Sequence, residues 1–435
     1  MTVVGLTGTL LLFVSACGGS AGKGGTTPAK DSSGRSVVTS AGVKVSAKAH
    51  ALWLKGLKAF DAGEKKGWSA SACKQVKGYF EDAVDAQDGR FAEAIYMQGA
   101  VESRCGDTGD AVKHYREALQ VNPKLCDARA AIGLDHLLAS RLGPAQQEFQ
   151  RALRDDPQCT EAYVNLAVVQ ARRSGGKSPE AVKNLRRALA IESDYLPAFN
   201  QMALFYLREG RRSKSDERLD LAEIVCKQAT LLDANYAPIY NTWGLVKMER
   251  ENIIEALRLF EKAIRLDRKM FEGHMNFGEV TLSFRGYQDA KRSFDAALRL
   301  QPKNYEAHIG LGAALRGLKQ VAAAEKQYKQ AMKLNGKRPE AYYNLGLLYQ
   351  DYMSGSVSDL KAAKNYYNQF LRRASTKGRY KAAVDDVRRS CAAAKTKRGR
   401  KRRLKRTRKC RPGRLQNINT ALQALQAAAA MQRGK

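Results

Sequence analysis

Reactive side chains are sparse in this 435-residue sequence, and their spacing does not suit catalysis. The five histidines are His50, His114, His136, His274 and His308, and no two stand at metal-ligand spacing. No Cys-x-x-Cys pair, phosphate loop or nucleophile elbow occurs. Ordinary core or surface histidines are expected at all five positions. The reading is a non-enzyme with no metal and no cofactor. Charge is the more prominent chemistry: the formal net charge is +32, and 13 positive charges fall between Lys395 and Arg414 with no Asp or Glu among them. Such a run repels itself and seeks polyanions. Arg400, Lys401, Arg402, Arg403, Lys405 and Arg406 are its densest part and the candidate polyanion contacts. A solvated, disordered segment that contacts nothing stays open as the alternative.

A second reactive residue lies at the other end. The opening "MTVVGLTGTLLLFVSACGGS" carries an apolar run from Val3 to Val14, too short to span a bilayer but suited to a signal-peptide core. It closes on Val14-Ser15-Ala16-Cys17, which resembles a bacterial lipobox, where the cysteine is diacylated at sulfur and becomes the mature N-terminus. The pattern is departed from in one respect, since no Lys or Arg precedes the apolar core. Residues 1–17 are read as a lipoprotein signal peptide and residues 18–47 as a Gly/Ser/Thr-rich tether. About 30 such residues reach roughly 30 Å as a coil. An uncleaved apolar N-terminus with a chance cysteine is the competing reading.

The elements that must carry these groups show themselves as an internal repeat. Gly99, Ala111, Tyr115, Ala118 and Pro123 recur 34 residues later as Gly133, Ala145, Phe149, Ala152 and Pro157. Gly244, Ala256, Phe260 and Ala263 continue the pattern, followed by Gly278, Ala290, Phe294, Ala297 and Pro302, by Gly312, Ala324, Tyr328 and Ala331, and by Gly346. Small residues at the eighth and twentieth places let two helices cross closely, an aromatic at the twenty-fourth fills the gap, and proline stops the second helix. These residues resemble the tetratricopeptide repeat (TPR). The resemblance implies an all-α fold, a right-handed superhelical solenoid of about eight to nine helix-turn-helix repeats. The array is expected over 92–376, with a degenerate first repeat over 48–91. A capping helix over 377–394, the basic disordered segment 395–414 and an Ala/Gln-rich helix over 415–435 follow. Extra residues in "RRSGGKS", "REGRRSKSDERLD" and "DYMSGSVSD" are expected to lengthen loops on one edge, where repeat proteins tolerate insertion.

In this family the first helices line a concave groove. The positions that face it give Asn165, Asn200, Asn241, Asn276 and Asn344, with Arg316 and Tyr343, as groove candidates. An Asn amide offers a donor and an acceptor together, which suits an extended peptide backbone. Structural asparagines with satisfied hydrogen bonds are the alternative. The Lys-and-Asn clamp that some TPR domains use for a C-terminal carboxylate is not visible. Of the remaining cysteines, Cys73 and Cys105 fall near one solenoid edge and form the candidate disulfide. Cys126 and Cys159 are a full repeat apart, a long reach for a bond that needs Cα atoms within about 7 Å. Cys226 occupies a buried place and is expected as a free core thiol.

Lipobox, polar tether and long array together are similar to the TPR lipoproteins of the myxobacterial gliding-motility machinery, the GltE type. That resemblance implies an outer-membrane lipoprotein facing the periplasm, anchored through diacylglyceryl Cys17 and scaffolding protein or peptide partners in the cell envelope; an inner-membrane location is the alternative. The basic run has no counterpart in that resemblance. It leaves a second function class open, a polyanion-binding adaptor for anionic lipid or cell-wall polymer, with nucleic acid disfavoured behind an export signal.

Overall fold

The computed structural model describes residues 38–175, 178–353, 356–389 and 413–433. Cys17, most of the tether and the basic run from Arg400 to Arg406 lie outside the described residues. Two compact units divide the chain, one ending at Glu251 and the other running from Asn252. Among the described residues the secondary structure is helical apart from one isolated bridge between Val38 and Lys44. No described helix is long and apolar enough to cross a membrane.

The first unit is built of antiparallel pairs: α1 (Ala47–Lys66) with α2 (Ala70–Asp85), α3 (Ala92–Cys105) with α4 (Thr108–Val121), and α5 (Cys126–Leu138) with α6 (Leu142–Asp155). Next come α7 (Thr160–Arg173) with α8 (Pro179–Ile191), α9 (Leu196–Ser213) with α10 (Asp216–Leu232), and finally α11 (Ala237–Glu249). Local chemistry starts these helices: Ser46, Ser69, Asp107, Ser178 and Ser215 each accept the backbone N–H three residues on, satisfying a donor that the helix leaves unpaired. The repeat residues close each pair. In α6, Ala145, Phe149 and Ala152 form the buried stripe, and a Cβ on Gly133 of α5 would stand 2.6 Å from the Phe149 ring. Glycine is therefore required where the aromatic ring meets the backbone of the facing helix.

Three features of this unit depart from the sequence reading. The seven extra residues near 210 lengthen the helices and leave the connection short: α9 and α10 run 18 and 17 residues, joined through Lys214 at φ +53°. The inserted stretch is rich in helix formers and lacks proline, so extending the helical ladder is favoured over an open loop. Cys126 and Cys159 are bonded, with Cα atoms 5.9 Å apart, as Cys73 and Cys105 are at 6.2 Å. Cys126 opens α5 and Cys159 is the residue before α7. First helices of successive repeats lie side by side at that end, and repeat length in sequence is a poor guide to their separation. The third departure is at the tether. Residues 38–46 dock on the unit: the Ser40 N–H donates to Glu93 Oε1 at 2.6 Å, and Asn122 Nδ2 donates to Ser40 Oγ at 2.8 Å.

The second unit contains α12 (Ile253–Leu266), then α13 (Phe271–Ser283) with α14 (Tyr287–Leu300), α15 (Tyr305–Gly317) with α16 (Val321–Leu334), and α17 (Glu340–Asp351) with α18 (Val357–Arg373). A short 3-10 turn, Gly378–Tyr380, leads into α19 (Lys381–Arg388), and α20 spans Arg414–Arg433. The apolar end of α18 is covered by α19 and α20: Ile418 is 1% exposed and packs with Tyr367, Phe370, Val384 and Val387. Arg414, counted with the basic run in the sequence, opens α20 and is held by Asp386 Oδ2 at 2.7 Å and Asp351 at 3.2 Å. The Gly413 N–H donates to the Arg389 carbonyl at 2.9 Å. Arg389 and Gly413 therefore meet at one place on the cap.

Candidate functional site

One face of the first helices in the unit ending at Glu251 forms a cleft. On α7, Glu161, Val164, Asn165 and Val168 line it, a spacing that keeps all four on one side of a helix. On α9, Pro197, Asn200 and Gln201 line it, together with Tyr195, Tyr236 and Leu134 of α5. The cleft is narrow, with about 20 Å³ of space for a water-sized sphere.

Asn200 sets the chemistry at its floor. The residue is 1% exposed, and its Oδ1 accepts from the Thr242 hydroxyl of α11 at 2.6 Å. Its Nδ2 donor has no hydrogen-bond partner. A buried amide N–H left unpaired costs about 1–3 kcal/mol, so the site favours a ligand that brings an acceptor such as a peptide carbonyl. Asn165 and Gln201 beside it each carry a donor and an acceptor.

The other groove candidates do not join this cleft. Asn241 is 4% exposed, behind Thr242 on α11. Asn276 is half-buried on α13 of the other unit. There too, Asn344 and Arg316 engage each other: Arg316 Nη1 donates to Asn344 Oδ1 at 3.1 Å, while Asn344 Nδ2 donates to the Glu340 carbonyl at 3.0 Å. Tyr343 packs in tilted contact with Phe370 and Tyr367, with ring centroids 5.1 and 6.2 Å apart. These three serve packing beside the cap. The row of five groove asparagines thus reduces, in the cleft, to Asn165 and Asn200.

Acidic groups stand on the first helices of the second unit's pairs. Burial, aided by the negative charge of Glu306, pushes the Glu279 carboxyl up to about 7, and burial raises Glu272 as well. Glu306 accepts from Arg338, whose guanidinium lies 4.1 Å from the Tyr305 ring centroid. Two of the five histidines have structural partners of this kind: His308 lies between Gln327 Oε1 at 2.7 Å and the Pro302 carbonyl at 3.1 Å, and His274 Nε2 meets the Arg268 carbonyl at 3.1 Å. Burial pushes the free Cys226 thiol well up, which keeps it protonated and unreactive. Among the described residues no group of three or more His, Cys, Asp or Glu is placed to hold a metal ion.

Sequence reasoning missed the lining tyrosines Tyr195 and Tyr236 and the donor Thr242. A signal was present: Tyr195 and Tyr236, like Asn200 and Asn241, are 41 residues apart, the repeat length plus the seven-residue extension.

The tetratricopeptide-repeat family matches residues 130–203 and 276–339, and a second tetratricopeptide-repeat description matches residues 92–125. The chain is similar to the type IV pilus assembly protein PilF of Pseudomonas aeruginosa, 26% identical over 161 residues that make up 37% of this chain and 61% of PilF. It is also similar to the human mitochondrial import receptor subunit TOM70, 23% identical over 201 residues, 44% of this chain and 31% of that protein. The chain thus spans less than two thirds of either relative. Among solved structures, yeast Tom70 aligns with a TM-score of 0.49 at 15% identity, covering 79% of this chain and 69% of Tom70. Paired helices and the 34-residue period coincide with tetratricopeptide repeats matched at residues 92–125, 130–203 and 276–339, in an all-helical fold consistent with a tetratricopeptide-repeat solenoid.

Proposed function

We propose that this chain is a non-catalytic scaffold whose cleft between α7 and α9 binds an extended peptide segment of a protein partner. The observation that carries this reading is the unpartnered Asn200 Nδ2, 1% exposed at the floor of a narrow cleft lined by Asn165 and Gln201. Tetratricopeptide-repeat proteins are generally interaction scaffolds, and a pilus assembly protein among the relatives supports an assembly role. The experiment is photo-crosslinking with benzoylphenylalanine in place of Gln201 in whole cells. A discrete crosslinked partner is expected, lost when Asn165 is changed to Ala. Crosslinks that ignore the Asn165 change sink the groove reading.

The scaffold is further proposed to be lipid-anchored at Cys17 in a bacterial envelope, at the outer membrane facing the periplasm, within a machine of the gliding-motility type. Support comes from the lipobox resemblance and from two disulfides, which persist in oxidising compartments. Labelling with a fatty-acid analogue is expected to vanish in Cys17→Ala; a variant that labels and fractionates like the parent removes the anchor.

A second reading, polyanion binding by the basic run, is favoured by 13 positive charges with no acid among them. Because Arg389 and Gly413 are hydrogen-bonded, residues 390–412 can be replaced by a short Gly/Ser link with little change in thermal midpoint. The excision is expected to abolish salt-sensitive retention on anionic vesicles. Retention that ignores both excision and salt would make the run incidental.

A further inference from the structure

The cleft face continues toward the other end of the same helices into arginine. On α7 the series Glu161, Asn165, Val168 is extended by Arg172, and on α9 Arg208 lies seven residues beyond Gln201 on the same side. Arg211 follows one turn later. Two of the three are held in place: Arg172 Nη1 donates to the Leu137 carbonyl at 3.2 Å, and Arg211 Nε pairs with Glu249 Oε2 at 2.6 Å. Arg208 differs from both. It is half-buried, and no hydrogen bond or ion pair among the described residues engages its guanidinium.

We propose that Arg208 is a carboxylate receptor, so that the segment bound in the α7–α9 cleft is an acidic peptide. This deepens the peptide-groove reading and rests on it. An arginine fork that is partly withdrawn from water and has no counter-ion is unfavourable in the free protein, and an incoming Asp or Glu side chain relieves it by a bidentate pair. Burial, with the like charges of Arg172 and Arg211, pushes the Arg208 guanidinium down to about 10, the direction expected of a cation lacking its anion. Seven residues of helix cover about 10 Å, which an extended peptide crosses in about three residues. Arg208 is one residue farther from Asn200, so the acidic residue is placed about three to four positions from the one whose carbonyl meets Asn200. Like-charge repulsion at the same place rejects basic segments.

The test is selection of a random twelve-residue displayed peptide library on the purified full chain, on Arg208→Gln, and on the Asn165→Ala, Gln201→Ala double variant. Peptides selected on the parent are expected to be enriched in Asp and Glu, and their synthetic versions to bind Arg208→Gln about tenfold or more weakly. Arg208→Lys is expected to recover only part of that loss, since it keeps the charge but not the fork. Peptides that need Asn165 and Gln201 yet show no acidic preference and bind Arg208→Gln equally overturn the receptor and leave the groove standing. Failure to select any peptide, or selection indifferent to the double variant, overturns the groove and the receptor with it. The thermal midpoint of Arg208→Gln should equal or exceed the parent's, because it removes an uncompensated charge; if it falls, Arg208→Lys alone carries the affinity comparison.

Discussion

Reduction of the two disulfides is expected to destabilise the unit ending at Glu251 by about 3–4 kcal/mol per bridge and to leave the unit from Asn252 unchanged. The bridges close loops with sequence separations of 32 and 33 residues, and the entropy a crosslink of that length removes from the unfolded chain corresponds to about 3.7 kcal/mol. In a repeat protein each unit leans only on its neighbours, so the loss is felt locally and spreads little. Cys73–Cys105 ties α2 to α3, and Cys126–Cys159 ties α5 to α7 beside the cleft. Urea unfolding with and without dithiothreitol, followed by limited proteolysis, checks this. Cleavage in 70–160 should appear at lower urea after reduction, while cleavage in 271–373 keeps its midpoint. Equal shifts in both regions would mean that the two units unfold as one cooperative block.

The parts of this fold that were legible in the sequence are those fixed by contacts within one helix pair. Gly133 and Phe149 announce each other because the ring needs a missing Cβ directly opposite, and that contact repeats every 34 residues. Contacts between repeats were less legible. The Cys126–Cys159 bond depends on how closely two first helices approach at their N-terminal ends, which no local pattern encodes. The asparagines illustrate the same limit: Asn200, at the fifth place of its repeat, has an open amide, whereas Asn344, at the sixth place of its own, is engaged by Arg316 of the preceding first helix. Helix α20 was visible as an Ala/Gln-rich segment, but its docking is decided by Arg414 finding Asp386 and Asp351 across 27 and 62 intervening residues.

Phe294→Ala is expected to cost about 3–5 kcal/mol, the range for removing a fully buried ring from a core that cannot collapse around the void. Phe294 is 0% exposed on α14 and is gripped from both sides. Gly278 of α13, in its own repeat, would place a Cβ 3.0 Å from the ring, and Gly310 of α15, in the next repeat, presses on it from the other side. The ring thus belongs both to the pair interface and to the interface between pairs, and its loss weakens two nearest-neighbour couplings at once. Phe284→Ala is the matched control, since that ring is 61% exposed at the end of α13, and a change within about 0.5 kcal/mol is expected there. Urea midpoints of both variants, with hydrogen exchange to locate the opening, check the pair. If exchange rises in α13 alone, the ring serves only its own repeat. A rise shared by α13, α14 and α15 is the expected result, because a side chain seated between two glycine-lined helices cannot be removed from one interface and kept in the other.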